Sequence, residues 1–304
     1  MKRIVEVVSS ALKAVFSLLW DAARGYASAH GTHYAAAMAF YMIFSIAPLA
    51  LIATAVTGLV YGRAAAEAEI IARAEKLLGP NVADVVGRLI DNWKDREAGV
   101  LATLVGAVVS IYFAFRVFFA LRDTLNTLWS VRLRGDLGLR GYVRTYGRSF
   151  LAMFIVVPLL LASLTFSEVL TRITPYLEQW VGTWANWGAT AYMAISFVML
   201  IGMFAFIYKW LPDVDIAWQD VLVGSFVTAV FFAIGRSMIA LYFINTTTTS
   251  VFGAAGSLVV VLFWVYYSAQ IIFFGAEITE VYAARYGNGI EPNDAAVRVD
   301  LPGA

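Results

Sequence analysis

The chain has 304 residues, 61% apolar and 14% charged, with 22 Lys+Arg against 21 Asp+Glu and a formal net charge of +1. Soluble domains carry roughly half apolar and about a quarter charged residues, so this surplus exceeds what one water-soluble core would hide. Cysteine is absent, which excludes disulfide frameworks, thiolate nucleophiles and cysteine metal sites.

The start, MKRIVEVVSSALKAVFSLLW, has a basic end but no clean apolar core or small-residue cleavage site. It does not read as a removed signal peptide. Ile4, Val7, Val8, Ala11, Val15, Leu18 and Leu19 recur at helical spacing, with Arg3, Glu6, Ser10, Lys13 and Ser17 mostly off that stripe. The spacing predicts an amphipathic helix over about 4–23, within an N-terminal segment 1–30. Two readings stand: a helix lying on the membrane surface, or one packed on the end of the protein's own bundle.

Six apolar spans follow, at about 34–61, 99–121, 149–170, 188–209, 220–243 and 257–282. Each is near or above the ~20 residues that a crossing helix needs. Pro48 and Pro158 kink the first and third without excluding either, since neighbouring helices satisfy the freed carbonyls. The expected fold is therefore all-α: a polytopic membrane domain over 31–285, then a polar, flexible cytoplasmic tail over 286–304.

The loops set the orientation. Arg122, Arg132, Arg134, Arg140, Arg144 and Arg148 crowd the connection between spans two and three, and Lys2, Arg3, Lys13 and Arg24 the N-terminal segment. Loops 171–187 and 244–256 hold one arginine between them. The positive-inside rule then puts both termini and the Arg-rich loop in the cytoplasm. The first outer loop, 62–98, spaces Ile70, Ile71, Leu77, Leu78, Val82, Val85, Val86, Leu89 and Ile90 helically, which predicts two short helices outside the membrane, broken at Gly79-Pro80. Trp180, Trp184 and Trp187 suit an interfacial belt.

Charge at membrane depth is costly, so each such residue is a site hypothesis. Arg116 and Glu277 come at similar depth in spans two and six, and Arg116 or Arg122 with Glu277 makes a candidate ion pair. Arg236 and Glu168 make a second, in the outer half. On span two Arg116, Phe119, Asp123, Asn126 and Ser130 share one helical face; on span six Tyr266, Gln270, Phe273 and Glu277 do. Facing each other, these stripes would line a track for an anionic or amphiphilic substrate, with Arg116, Asp123, Asn126, Arg236, Gln270 and Glu277 as candidate binding residues. The alternative is polar glue between helices. The small residues Ala35, Ala36, Ala37 and Ala39, and Gly253 to Ser257, suit close packing.

Other chemistry is not visible. The two histidines, His30 and His33, lack a neighbouring carboxylate, so no metal site is expected. No phosphate-cradling glycine loop, nucleophile elbow or triad context exists, so no catalytic residue and no cofactor is assigned. Orientation already accounts for the loop arginines, and nucleic acid is not an expected partner.

Three stretches, AAAMAFYMIFSIAPLALIATAVTGLVYG (35–62), LRDTLNTLWSVR (121–132) and FGAAGSLVVVLFWVYYSAQIIFFGAEITEVYA (252–283), closely resemble the YihY/BrkB family of bacterial inner-membrane proteins. The likeness covers about 30–285, and the last motif is the most specific. It implies six membrane helices and a link to lipid transport across the inner membrane. Asn126, Trp129, Gly253, Gly256, Tyr267, Gln270, Gly275 and Glu277 are the family-like positions. Members were long labelled ribonuclease BN, a label that no residue set in this chain supports. The expected function is a transporter or flippase-like facilitator with membrane lipids as partners. The alternative is a scaffold that docks envelope proteins through 62–98, with homo-oligomers open in both cases.

Overall fold

The computed structural model describes residues 2–45, 62–78, 83–84, 86–88, 90–91, 100–147, 151, 185–245 and 256–299, some helical residues by backbone only. Helices run over Lys2–Ser28 (α1), 31–45 (α2), Arg63–Leu78 (α3), Val100–Leu128 (α4), 139–147 (α5), Ala185–Trp210 (α6), Trp218–Asn245 (α7) and Gly256–Tyr286 (α8). Four short strands join them: Val131–Leu133 (β1), Val214–Asp215 (β2), Glu291–Pro292 (β3) and Ala296–Arg298 (β4).

Spans two, four, five and six fall inside α4, α6, α7 and α8; the start of the first is α2. Span three, apart from residue 151, lies outside the described residues, as do Pro48, Pro158, Glu168 and Gly79-Pro80. Among the described residues two helices are long and apolar enough to cross a membrane, over Trp218–Gly235 and Val261–Tyr286, and Ala194–Trp210 is a shorter apolar helix.

Local chemistry ends the helices where the chain must turn. His30 (φ 56°) follows α1 and Ser130 (φ 53°) follows α4, both left-handed. Each N–H returns to a carbonyl of its helix, His30 to Ala27 at 3.1 Å and Ser130 to Thr127 at 3.0 Å, which closes orphan acceptors. At the end of α8 the turn needs φ +77° at Gly289, a conformation open to glycine without strain. Asp220 sits in the first turn of α7 and Arg285 in the last turn of α8, each with the favourable sign for the helix dipole.

The chain divides into two compact units: Met1–Gly31, Arg122–Ala233 and Ile271–Ala304 form one, Thr32–Leu121 and Ile234–Gln270 the other. In the first, strand pairing corrects the expectation of a loose tail. β4 runs antiparallel to β1 (Arg132 opposite Val297), and β3 antiparallel to β2 (Asp215 opposite Glu291). Ile290 and Ala296 are buried. The tail is polar by count, but its few apolar residues and free backbone groups complete two short ladders, each too short to show as a strand period in the sequence.

In the second unit Ala39, Val86, Ile90, Val261 and Val265 form a buried core, flanked by Met42, Ile70, Ile71, Ala74, Trp264 and Tyr266. Of the apolar stripe predicted in 62–98, Ile70, Ile71, Val86 and Ile90 are used in this packing against span residues. Tyr267 fills the space beside Gly235, where a Cβ would collide with its ring. Of the small residues expected to pack closely at the start of the first span, Ala35 and Ala39 are buried, while Ala36 and Ala37 are exposed.

Candidate functional site

Within the first unit, polar groups gather where α4, α6, α7 and α8 end or begin. Arg122, on α4, is fully buried, and its Nη2 donates to Asp213 Oδ2 at 2.5 Å. One turn on, Asn126 grips the same residue twice. Its Nδ2 donates to Asp213 Oδ2 at 2.7 Å, and its Oδ1 accepts the Asp213 backbone N–H at 2.8 Å. Helical spacing i, i+4 puts both side chains on one face of α4, and Leu211-Pro212 stops α6 so that Asp213 meets them. The ring of Tyr146, on α5, lies 4.5 Å from the Arg122 guanidinium carbon, a cation–π distance. Among the described residues Arg122 Nε and Nη1 are buried without a hydrogen-bond partner.

Beside this knot the helices interlock. Tyr208, fully buried on α6, donates to the Ile272 carbonyl at 2.7 Å and shares a hydrogen bond with Thr228 at 3.0 Å. Trp129 Nε1 donates to the Ala276 carbonyl at 3.0 Å, and its ring meets Tyr208 edge-on at 6.4 Å. Gly224-x-x-x-Thr228 on α7 faces Gly275-x-x-x-Thr279 on α8. Each threonine occupies the space beside the opposing glycine, and each returns its hydroxyl to its own helix at 2.7 and 2.8 Å. Such small-residue contacts let backbones approach where apolar burial alone gives little drive. Trp129→Phe keeps most of the packing but leaves the Ala276 carbonyl without its donor. A loss of about 1 kcal/mol is expected in thermal unfolding of the detergent-solubilised protein.

Glu277 is buried on the same stretch of α8, with Oε2 unpartnered among the described residues. Gly25 of α1 passes so close that a Cβ there would collide with Glu277 Oε1. Arg285 joins α8 to α1 through Asp21 and Ser17, and Tyr26 meets Phe274 edge-on at 6.0 Å. One face of α1 therefore packs on the unit's own helices, while Leu12, Val15, Phe16 and Trp20 stay exposed on it.

These positions change the sequence picture in stated ways. Arg122 pairs with Asp213 rather than Glu277, because the α6–α7 turn brings a carboxylate to α4 that no stripe within a span could announce. Asn126 belongs to that cluster. Asp123 does not: it is exposed, so the proposed stripe on span two is not polar-inward throughout. Arg116, in the second unit, donates to Tyr41 Oη at 3.3 Å, with its guanidinium 5.0 Å from that ring. Gln270 is partly buried in that unit, with partners of its own. The Arg236 side chain and Glu168 lie outside the described residues. Sequence reasoning missed Asp213, Tyr208, Thr228 and Thr279. A findable signal was the pair of Gly-x-x-x-Thr repeats in spans five and six.

The family described as Virulence factor BrkB matches residues 22–299. The chain is similar to a UPF0761 membrane protein of Cronobacter sakazakii, 25% identical over 212 residues, which is 66% of this chain and 65% of that protein. It is also similar to the UPF0761 membrane protein YihY of Salmonella newport and of Salmonella heidelberg, 26% identical over 212 residues in each case. The chain thus spans about 65% of the length of these curated relatives. No solved structure matches it. Apolar helices, the interlocked helix ends and the family match lead to one conclusion: the chain is a membrane protein of the YihY/BrkB family.

Proposed function

We propose that this protein facilitates the passage of a lipid, or another amphiphile with an anionic headgroup, across the bacterial inner membrane. The supporting observation is Arg122, a fully buried guanidinium held on one side by Asp213, itself fixed by Asn126, with two guanidinium nitrogens, Nε and Nη1, unpartnered among the described residues. Held in place, such donors favour an anionic oxygen over water. Glu277 in the same unit, and Arg116 and Arg236 in the other, are each candidates on the same physical ground: charge at membrane depth is kept where it meets polar groups. No ATPase motif is present, so passage follows a gradient or a partner.

Six crossings with both termini cytoplasmic fit the strand pairing by parity. β1 pairs with β4 and β2 with β3, and α1 reaches α8 through Arg285 and Asp21. Segments that touch lie on one side of a bilayer, so an even number of crossings separates each from the next, as in the six-span reading. Vesicles holding the protein should move a labelled anionic lipid faster than empty ones. Arg236→Ala and Glu277→Ala should slow it on the order of tenfold, the worth of one charge-assisted hydrogen bond. Equal rates in wild type, both variants and empty vesicles would reject the proposal.

A second reading, a scaffold docking envelope proteins, has its own support. α3 and residues 83–91 line a cleft of about 310 Å³ with Glu75, Asp84, Arg88 and Asp91. With the apolar stripe already packed, this polar cleft is what those helices offer a partner. Deleting 62–98 while the spans remain inserted separates the two: lost partner capture with intact lipid passage favours the scaffold.

A further inference from the structure

Orientation accounts for the number of arginines between spans two and three, but not for the arrangement of α5. This helix, 139–147, exposes Leu139 (81%) and Val143 (65%), among the most exposed large apolar side chains of the described residues. Arg140 and Arg144 are exposed as well. At 3.6 residues per turn, these four fall within an arc of about 140°. Thr145, away from that arc, and Tyr146, which borders it about 20° beyond Leu139, are half-buried, and Tyr146 covers Arg122. Tyr146 thus anchors α5 to the unit at the edge of an exposed arc that joins hydrocarbon-seeking and phosphate-seeking side chains.

We infer that α5 is an interfacial helix that seats on the bilayer beside it, with Leu139 and Val143 among acyl chains and Arg140 and Arg144 on anionic lipid headgroups. Charge complementarity commits the occupant. Residues 132–148 hold five arginines against one acidic residue, Asp136, and basic segments next to membrane spans are drawn to anionic lipid. RNA would engage the arginines but leave Leu139 and Val143 in water. A bilayer takes both, since arginine stems lie along apolar surface with their heads at the phosphate level. The inference stands whether or not the protein moves a substrate.

The absence of native cysteine permits a direct test in the full chain. Val143→Cys and, as control, Asp136→Cys in the exposed turn before α5 are each labelled with an environment-sensitive fluorophore and placed in nanodiscs. In discs rich in phosphatidylglycerol, the Val143 label should be quenched by shallow nitroxide lipids and shielded from iodide, while the Asp136 label stays open to iodide. Arg140→Gln/Arg144→Gln should reduce that shielding tenfold or more towards the level in neutral phosphatidylcholine discs. Leu139→Cys repeats the reading should Val143→Cys fold poorly. Any of three results overturns the inference: labels at 143 and 136 equally open to iodide, equal shielding in neutral and anionic discs, or shielding that appears only on adding an RNA oligomer.

Discussion

Asp213→Ala is expected to cost about 3–5 kcal/mol of stability, because it strands a buried guanidinium without its carboxylate. Arg122 is fully buried, and Asp213 is its carboxylate partner. Asn126 would lose its acceptor at the same time and keep only the backbone N–H of residue 213. The measurement is thermal unfolding in detergent, followed by the intrinsic fluorescence of the nine tryptophans. Arg122→Met with Asp213→Leu should recover most of the loss, since replacing both charges with apolar groups removes their shared desolvation cost. The recovery would also separate two roles. A pair that only holds helices together leaves the apolar double variant active in lipid passage. One that binds substrate leaves it stable and inactive. A melting temperature of Asp213→Ala within error of wild type would mean that Arg122 has another counterion.

Gly275→Ala should also destabilise, although it adds a single methyl. Its Cβ would collide with Thr228 Oγ1 and come within 2.6 Å of Tyr208 Oη. Neither group is free to retreat. Thr228 donates to the Gly224 carbonyl at 2.7 Å, and Tyr208 to that of Ile272 at 2.7 Å. The helices must part, at a cost of about 1–3 kcal/mol for overpacking, and parting them also loosens Gly224 against Thr279. Thr228→Ala removes the colliding oxygen, so the double variant should be less destabilised than the sum of the singles by about 0.5–3 kcal/mol. Strict additivity would show that the two helices are not in the contact described here. Gly224→Ala with Thr279→Ala is the mirror experiment on the same crossing.

The candidate site was legible only where its chemistry is local. Asn126 stood out because it shares a helical face with Arg116 and sits in the family-like run LRDTLNTLWSVR. Its two bonds to Asp213 were not legible, since 87 positions separate the residues. Arg122 was paired on paper with Glu277 because both lie near one level. Depth constrains one coordinate only, and a turn between helices can supply a carboxylate at the same level. Asp123 shows the reverse error: a shared helical face in a span does not say which way that face points.

Composition and apolar run lengths alone determined the class, the helical character and, among the described residues, where α4, α6, α7 and α8 run, because hydrocarbon forces backbone hydrogen bonds to close within each segment. The family motif did the same for membership. Tertiary structure alone decided how α1 is used, that the polar tail pairs with β1 and β2, that the outer-loop helices are packed, and that Arg122 belongs to Asp213. Those outcomes rest on which surfaces meet, on a few backbone groups needing partners and on single atoms filling single gaps, and none of these leaves a period in the sequence.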